Sequence, residues 1–291
     1  MKPPPFDYHG PVTLGEALDV LAAAGPGGKV LAGGQSLIPL LNMRLAAPAH
    51  IVDVNRVPGL DGIEAGPAGV RVGALARHAA VERSPQAAAV LPLLRQALRL
   101  VAHPVIRNRG TVVGSLVHAD PAAEMPAVLA LLGGSVRLAS RDGEREVPAA
   151  EFFTGPMESA VRPGELAVSA FFPALPPRSG TAFHEVARRH GDYAVAGVAA
   201  AVTLGEDLRV AAARVACVSV GPVPVVVDVT PACGPGPAAE ADWEAVAGAV
   251  RDRVDPEGDI HATADYRRHL TGVLAARALR DAAFAARGEE S

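Results

Sequence analysis

The chain has 291 residues, 49% hydrophobic and 20% charged, which is typical of about two globular domains. Its net charge of -4 does not favour nucleic-acid binding. Two cysteines, Cys217 and Cys233, are too few for an iron–sulfur cluster, and no metal site of the multi-cysteine type is predicted. We expect a cytoplasmic protein, because the N-terminus has no apolar signal stretch and the longest apolar run, 194–204, is too short to span a membrane.

The N-terminal residues have the pattern of a small βαβ-like unit. Thr13 and Glu16 form a capping box at the start of a helix. Strands are predicted at 30–32 and 51–54, and between them two glycines lead into the apolar segment 37–41.

The rest of the chain predicts helices and strands in two regions separated by a proline-rich linker at 173–180. Before the linker we predict helices at 92–102 and 121–132 and strands at 70–72, 135–139, 145–147 and 165–172. After it we predict strands at 181–187, 194–204 and 210–220 and helices at 242–250 and 263–286. The sum is an α+β N-terminal region followed by a smaller domain of sheet and helices.

The first candidate for a phosphate-binding loop joins a predicted strand to a predicted helix. A glycine pair at such a junction lets the backbone approach a phosphate, to which its N–H groups can donate. The alternative is a tight turn without a ligand. The segment comprises Leu31, Ala32, Gly33, Gly34, Gln35, Ser36 and Leu37.

The second candidate loop begins at Gly110 and combines hydroxyl groups with glycine in a predicted turn. One diphosphate can be held by two separate loops, so the two segments together favour a diphosphate ligand. A bulged loop is the alternative. The segment comprises Gly110, Thr111, Val112, Val113, Gly114 and Ser115.

Two polar segments each have two interpretations. His118, Asp120 and Glu124 are close enough in sequence to suggest metal ligands, but Asp120 before a proline is also typical of a helix N-cap. The segment that contains Asp192 and Tyr193 predicts a polar hairpin turn, or a tyrosine that faces a flat aromatic ligand.

A third glycine-rich segment, 62–69, is similar to the turn of a dinucleotide-binding Rossmann domain. However, the residues that follow it, 70–73, alternate as a strand and do not open a helix. We therefore predict a hairpin loop there.

Taken in order, the two candidate loops and the segment that contains Asp192 and Tyr193 resemble the FAD-binding medium subunits of molybdenum hydroxylases, the family of carbon monoxide dehydrogenase medium chains and xanthine dehydrogenase FAD subunits. The resemblance covers nearly the whole chain. The matching motifs lie at 6–8, 32–46, 51–54, 106–111, 119–127, 191–193 and 265–270.

The resemblance implies a two-subdomain FAD-binding domain of the p-cresol methylhydroxylase or vanillyl-alcohol oxidase type at residues 1–175, with subdomains at about 1–56 and 57–175. A smaller C-terminal domain, like that of carbon monoxide dehydrogenase flavoproteins, with an antiparallel sheet and helices, is implied at 180–287.

The implied cofactor is FAD, with both candidate loops around its diphosphate. Glu124 occupies the family's position for a carboxylate at the cofactor's sugar, and Asp192 and Tyr193 lie beside the isoalloxazine. Val113 and Ser115 depart from the family's second loop, where glycine and asparagine are usual.

The implied function is electron transfer. In the family, a large subunit hydroxylates substrate at a molybdenum cofactor, and a small subunit with two [2Fe–2S] clusters passes electrons to the FAD subunit, which delivers them to an external acceptor. A dimer of heterotrimers is implied, with no catalytic residue in this chain.

Two alternatives remain open from the sequence. The first is a stand-alone flavin-dependent oxidoreductase of the same fold, for which His118 or His190 would be the candidate base. The second is a non-enzymatic scaffold without FAD.

Overall fold

The computed structural model describes residues 2–288, and it begins with a three-stranded parallel sheet in the order β1-β3-β2. The capping box of Thr13 and Glu16 starts α1, whose Ala17 and Leu21 are buried. The predicted βαβ-like unit is confirmed. Its elements are β1 (Asp7–His9), α1 (Leu14–Ala24), β2 (Gly28–Leu31), α2 (Leu37–Asn42) and β3 (His50–Asp53).

The second unit is a five-stranded antiparallel sheet, ordered β4-β5-β10-β6-β7, with helices around an apolar core. The hairpin of β4 and β5 confirms the hairpin predicted at the glycine-rich segment 62–69. Its strands are β4 (Ile63–Gly66), β5 (Gly69–Gly73), β6 (Ser135–Ser140), β7 (Gly143–Pro148), the short pair β8 (Phe153–Gly155) and β9 (Glu158–Ser159), and β10 (Leu166–Pro173). Its helices are α3 (His78–Arg83), α4 (Pro85–Val90), α5 (Pro92–Leu98), α6 (Pro104–Arg107), α7 (Val112–His118), α8 (Glu124–Leu132) and α9 (Ala149–Phe152).

The third unit is a four-stranded antiparallel sheet in sequential strand order, covered by two helices. Both faces of β12 are buried: Val198 and Val202 belong to the core shared with α11, whereas Ala199 and Ala201 belong to the core of the second unit. A strand buried on both faces has a continuous apolar sequence, which explains the run at 194–204. The elements are β11 (Ser179–Ala187), β12 (Ala194–Leu204), β13 (Val210–Val218), β14 (Val225–Asp228), α10 (Trp243–Arg251) and α11 (Ala264–Ala286).

Two local predictions, a helix cap at Asp120 and a turn at the second candidate loop, are wrong. Asp120 does not cap α8, which begins at Glu124; the Asp120 carboxylate accepts instead from the Ala122 N–H at 2.9 Å, within a turn. The second candidate loop is not a turn but the N-cap and first turn of α7, because the Thr111 hydroxyl accepts from the Gly114 N–H at 3.1 Å.

The sequence patterns also missed β14 and several short helices. Helices of four to six residues, such as α3, α4, α6 and α9, are too short for apolar periodicity to show. Among residues 2–288, no helix is long and apolar enough to cross a membrane.

Candidate functional site

A cavity of about 530 Å³ lies where the three units meet. The first unit contributes residues around 29–37, the second contributes α7 and the start of α8, and the third contributes the turn between β11 and β12. Most of the predicted site residues line it. Those that do are Ala32, Gly33, Gly34, Gln35, Ser36, Leu37, Thr111, Val113, Gly114, Ser115, Glu124, Asp192 and Tyr193.

The two candidate loops are in direct contact across the boundary between the first and second units. A Cβ atom on Gly33 would lie 2.5 Å from the Arg109 carbonyl oxygen and 2.8 Å from the Gly110 Cα, so only glycine permits this approach. Gly34 has a φ of 73°, the left-handed conformation that glycine adopts readily. The fold therefore brings together two segments that are far apart in sequence.

The first loop lines the cavity and has backbone hydrogen-bond donors without a protein acceptor within residues 2–288. The backbone N–H groups of Gly34, Gln35 and Ser36 have no backbone or side-chain acceptor within residues 2–288. The side-chain Nε2 of Gln35 donates to the Gly33 carbonyl at 3.1 Å and stabilises the turn. Unpaired backbone amides beside a concave surface are the groups that bind phosphate oxygens in proteins.

The second segment has fewer free amides than its sequence suggested. The N–H groups of Val112 and Ser115 already donate to the carbonyls of Ala76 and Thr111, at 3.2 and 3.0 Å, and that of Gly114 donates to the Thr111 hydroxyl. Ser115 lines the cavity and is the residue of this segment's wall, besides Thr111, that carries a hydroxyl group.

Two of the predicted site residues, Leu31 and Val112, lie outside the cavity lining. Leu31 ends β2, and Val112 is fully buried in the core of the second unit. Val113 is also nearly fully buried, so its side chain packs among apolar residues where the family's usual glycine would leave space.

Glu124 is the first residue of α8 and faces the cavity from an enclosed position. Burial raises the pKa of its carboxyl group to about 8, and the negative charge of Glu185 on β11 adds to the shift. Burial also raises the pKa of Glu185 to about 7. A protonated Glu124 can both donate to and accept from a hydroxyl group, which suits a contact with a sugar.

The predicted hairpin turn between β11 and β12 is confirmed, and it places Tyr193 at the edge of the cavity with 68% of its surface exposed. The Asp192 carboxylate accepts from the Tyr193 N–H at 3.1 Å and pairs with Arg188 at 3.2 Å. Gly191, with a φ of 77°, packs on the His103 ring. Tyr193 is therefore a surface side chain available to a ligand and not a core residue.

Sequence reasoning missed several groups around the cavity. His78, only 5% exposed, lines it, and burial lowers the pKa of its imidazole to about 4, so the ring is neutral at physiological pH. Asn55 and Arg77 hydrogen-bond to the backbone beside the two loops. None of these residues lies in a motif, and no local pattern distinguishes them from ordinary polar residues.

Comparisons with known proteins show the family to which the chain belongs. Residues 4–175 match the family described as "FAD binding domain in molybdopterin dehydrogenase", and residues 181–282 match "CO dehydrogenase flavoprotein C-terminal domain". The chain is 41% identical to the 6-hydroxypseudooxynicotine dehydrogenase complex subunit alpha of Paenarthrobacter nicotinovorans, over 99% of this chain and 97% of that one.

Two solved structures have the same fold throughout. A chain of quinoline 2-oxidoreductase from Pseudomonas putida 86 superposes with a TM-score of 0.91 at 36% identity, covering 98% of this chain and 99% of that chain. A chain of carbon monoxide dehydrogenase from Hydrogenophaga pseudoflava gives 0.91 at 34% identity, with the same coverage.

The chain is thus an FAD-binding flavoprotein of the oxidoreductase class, with the expected α+β fold. It belongs to the family of FAD-binding medium subunits of molybdenum hydroxylases. The residues that line the cavity fit FAD. The amides of Gly34 to Ser36 are unpaired within residues 2–288, Gly33 allows the close approach of the two loops, and the raised pKa of Glu124 favours a protonated carboxyl group.

Proposed function

We propose that this chain is the electron-transfer subunit through which electrons leave a molybdenum hydroxylase complex. The observation that supports this most directly is the meeting of Gly33 and Gly110 beside a cavity with unpaired amide donors. FAD, when bound, supplies the redox chemistry that couples an electron donor to an external acceptor. The chain itself contributes binding, orientation and access.

The residues of this chain divide that task by position. The N–H groups of Gly34 to Ser36, which have no protein acceptor within residues 2–288, would donate to the diphosphate, and Ser115, which lines the same cavity, would offer its hydroxyl group from the second segment. Glu124 hydrogen-bonds to the sugar portion of the cofactor. Tyr193, on the exposed edge, lies beside the isoalloxazine and limits the direction from which an acceptor approaches.

The electron donor is proposed to be a separate small subunit with [2Fe–2S] clusters, which receives electrons from a large subunit with the molybdenum cofactor. Cys217 and Cys233 are both buried free thiols, and within residues 2–288 no group of three or more His, Cys, Asp or Glu residues is placed to bind a metal ion. The relatives whose names include "medium" also support a larger assembly, which we propose to be a dimer of heterotrimers.

We also infer the domain division expected from the sequence, with an FAD-binding domain at 1–175, subdomains at about 1–56 and 57–175, and a C-terminal domain at 180–287. The change from one sheet to the next between β10 and β11 supports the main boundary. The change from the three-stranded to the five-stranded sheet supports the subdomain boundary.

The decisive experiment is affinity purification of the chain from its native host, followed by identification of the bound subunits and rapid-reaction kinetics. We expect one cysteine-rich chain and one large chain to co-purify, and cluster signals in electron paramagnetic resonance to appear before the flavin bleaches. A chain that purifies alone and whose flavin is reduced directly by an organic substrate would instead identify a stand-alone oxidoreductase. A colourless chain that does not bind added FAD would refute both.

A further inference from the structure

Asn55 and Arg77 form a hydrogen-bonded bridge between the first and second structural units. Asn55 follows β3, and Arg77 immediately precedes α3. The Arg77 guanidinium donates through Nη2 to the Asn55 side-chain oxygen at 2.6 Å and through Nη1 to the Arg109 carbonyl at 2.6 Å. A planar guanidinium can make both bonds at once, because its donors point in fixed directions.

The bridge continues into the first loop. The Asn55 side-chain nitrogen donates to the Ala32 carbonyl at 2.8 Å and also to the Asp53 carboxylate at 2.7 Å. Arginine has donors only, so the Asn55 oxygen must face Arg77 and its nitrogen must face Ala32. Hydrogen bonds therefore run without interruption from Ala32, through Asn55 and Arg77, to Arg109.

The two ends of this bridge lie at the contact between the candidate loops. Ala32 directly precedes Gly33, and the Arg109 carbonyl that accepts from Arg77 is the same atom that a Cβ on Gly33 would approach to 2.5 Å. Asn55 and Arg77 themselves lie outside the cavity lining. They contact the loop backbone at Ala32 and Arg109 and not the space that a ligand would occupy.

We propose that Asn55 and Arg77 are positioning residues that hold the two cofactor-binding loops at the spacing required by the FAD diphosphate. The inference rests on the proposed binding of the diphosphate between these loops. Phosphate binding by backbone amides needs convergent donors, and the loops belong to different units, so their spacing depends on contacts between the units. The Arg77–Asn55 bridge is such a contact, and it ends on the loops themselves.

A role of Arg77 in geometry and a role in charge lead to different expectations for variants of the bridge. If Arg77 acted on the diphosphate only through its positive charge, Arg77→Lys would keep the effect and Asn55→Ala would have none. If the bridge acts as a unit, Lys cannot replace the two-pronged contact. Removal of Asn55 should then be as damaging as removal of Arg77, and the two losses should not add.

The test uses the full-length chain freed of flavin, with FAD and ADP as ligands and isothermal titration calorimetry as the measurement. Asn55→Ala, Arg77→Ala and Arg77→Lys should each weaken both ligands by about ten- to a hundredfold, because each disrupts hydrogen bonds made by a charged group. The double variant should bind about as weakly as the worse single variant. Arg137→Ala, which removes a surface arginine paired loosely with Glu144 at 3.8 Å, is the matched control and should bind as the wild type does.

Hydrogen exchange in the ligand-free chain gives a second readout. Amides at 33–36 and 110–115 should exchange faster in the bridge variants, while those in β12 stay protected and the thermal midpoint shows that the fold is intact. Wild-type affinity in Asn55→Ala, or full rescue by Arg77→Lys, would overturn the proposal. Failure of the wild-type chain to bind FAD would instead refute the proposed function, and the exchange data would still report whether the bridge holds the loops.

Discussion

The substitution Gly33→Ala tests the contact between the two loops with a single methyl group. The added carbon would lie 2.5 Å from the Arg109 carbonyl oxygen, 2.8 Å from the Gly110 Cα and 3.1 Å from the Arg109 carbonyl carbon. All three atoms belong to the backbone, so no side-chain rotation relieves the clash. Since real Cβ contacts below 3.0 Å essentially do not occur, the loops must separate by about half an ångström or more.

Overpacking of this kind typically costs about 1–3 kcal/mol. In the ligand-free chain the loops can move apart and relieve most of that strain, but FAD requires them to close again. We therefore expect the cost to appear mainly as weaker FAD binding, by about five- to 150-fold for 1–3 kcal/mol. The thermal midpoint of the ligand-free chain should change little.

The assay is flavin fluorescence titration of the flavin-free protein, with scanning calorimetry on the same samples. Gly62→Ala is the matched control, because a Cβ there meets no atom within 4 Å and its φ is not in the left-handed region. Gly34→Ala should also weaken binding, but through backbone strain at its φ of 73°. Wild-type affinity in Gly33→Ala would show that the closed contact between the loops is not needed for FAD.

Further predictions concern the cavity rim, the buried carboxyl groups and the cysteines. Tyr193→Ala should leave the thermal midpoint nearly unchanged, since the side chain is exposed, but should alter the flavin absorption spectrum and weaken FAD binding by about two- to tenfold. Tyr193→Phe keeps the ring and should change neither the spectrum nor the affinity, and a large loss of stability in Tyr193→Ala would contradict the flavin contact. The folded state raises the pKa values of Glu124 and Glu185 from 4.5 to about 8 and about 7, so their stabilisation is complete below about pH 4.5 and is lost as the pH rises through 7 and 8. The free energy of unfolding of the flavin-free chain should therefore fall between about pH 5 and 8, by up to about 1.4 kcal/mol per pH unit for each carboxyl group, and the thermal midpoint should fall with it. Glu185→Gln should flatten this curve, and an equal slope in that variant would refute the assignment. Burial raises the pKa of Cys217 to about 12 and that of Cys233 to about 11, so neither thiol should react with a disulfide reagent until the chain unfolds. Because two cysteines are too few for an iron–sulfur cluster, elemental analysis should find no iron in the isolated chain.

Local patterns in the sequence predicted a large part of the fold. The capping box at Thr13, the hairpin at 62–69 and the turn before β12 depend on residues close together in the chain, and all three are confirmed. The errors have local causes too. The sequence pattern predicts a turn at Thr111, whose hydroxyl in fact caps α7. It predicts a helix cap at Asp120, whose carboxylate in fact closes a turn three residues before the N-cap of α8.

Family membership was also determined by the sequence, because the order of several weak motifs is specific even where each motif is not. The same motifs led to the predicted FAD site, and most of the predicted residues line one cavity. The placement of Leu31 and Val112 away from that cavity follows from the direction of each side chain, which a motif does not specify.

Only the tertiary structure decided how the site is assembled. Residues that are far apart in the chain make the Gly33–Gly110 contact and the Asn55–Arg77 bridge. The raised pKa of Glu124 likewise depends on burial by the fold and on the charge of the distant Glu185. Apolar periodicity reports which face of an element is buried, but not which distant element covers it. Distances between loops and the burial of a carboxyl group depend on that packing, so the sequence determined which groups are present and the fold determined their spacing and protonation.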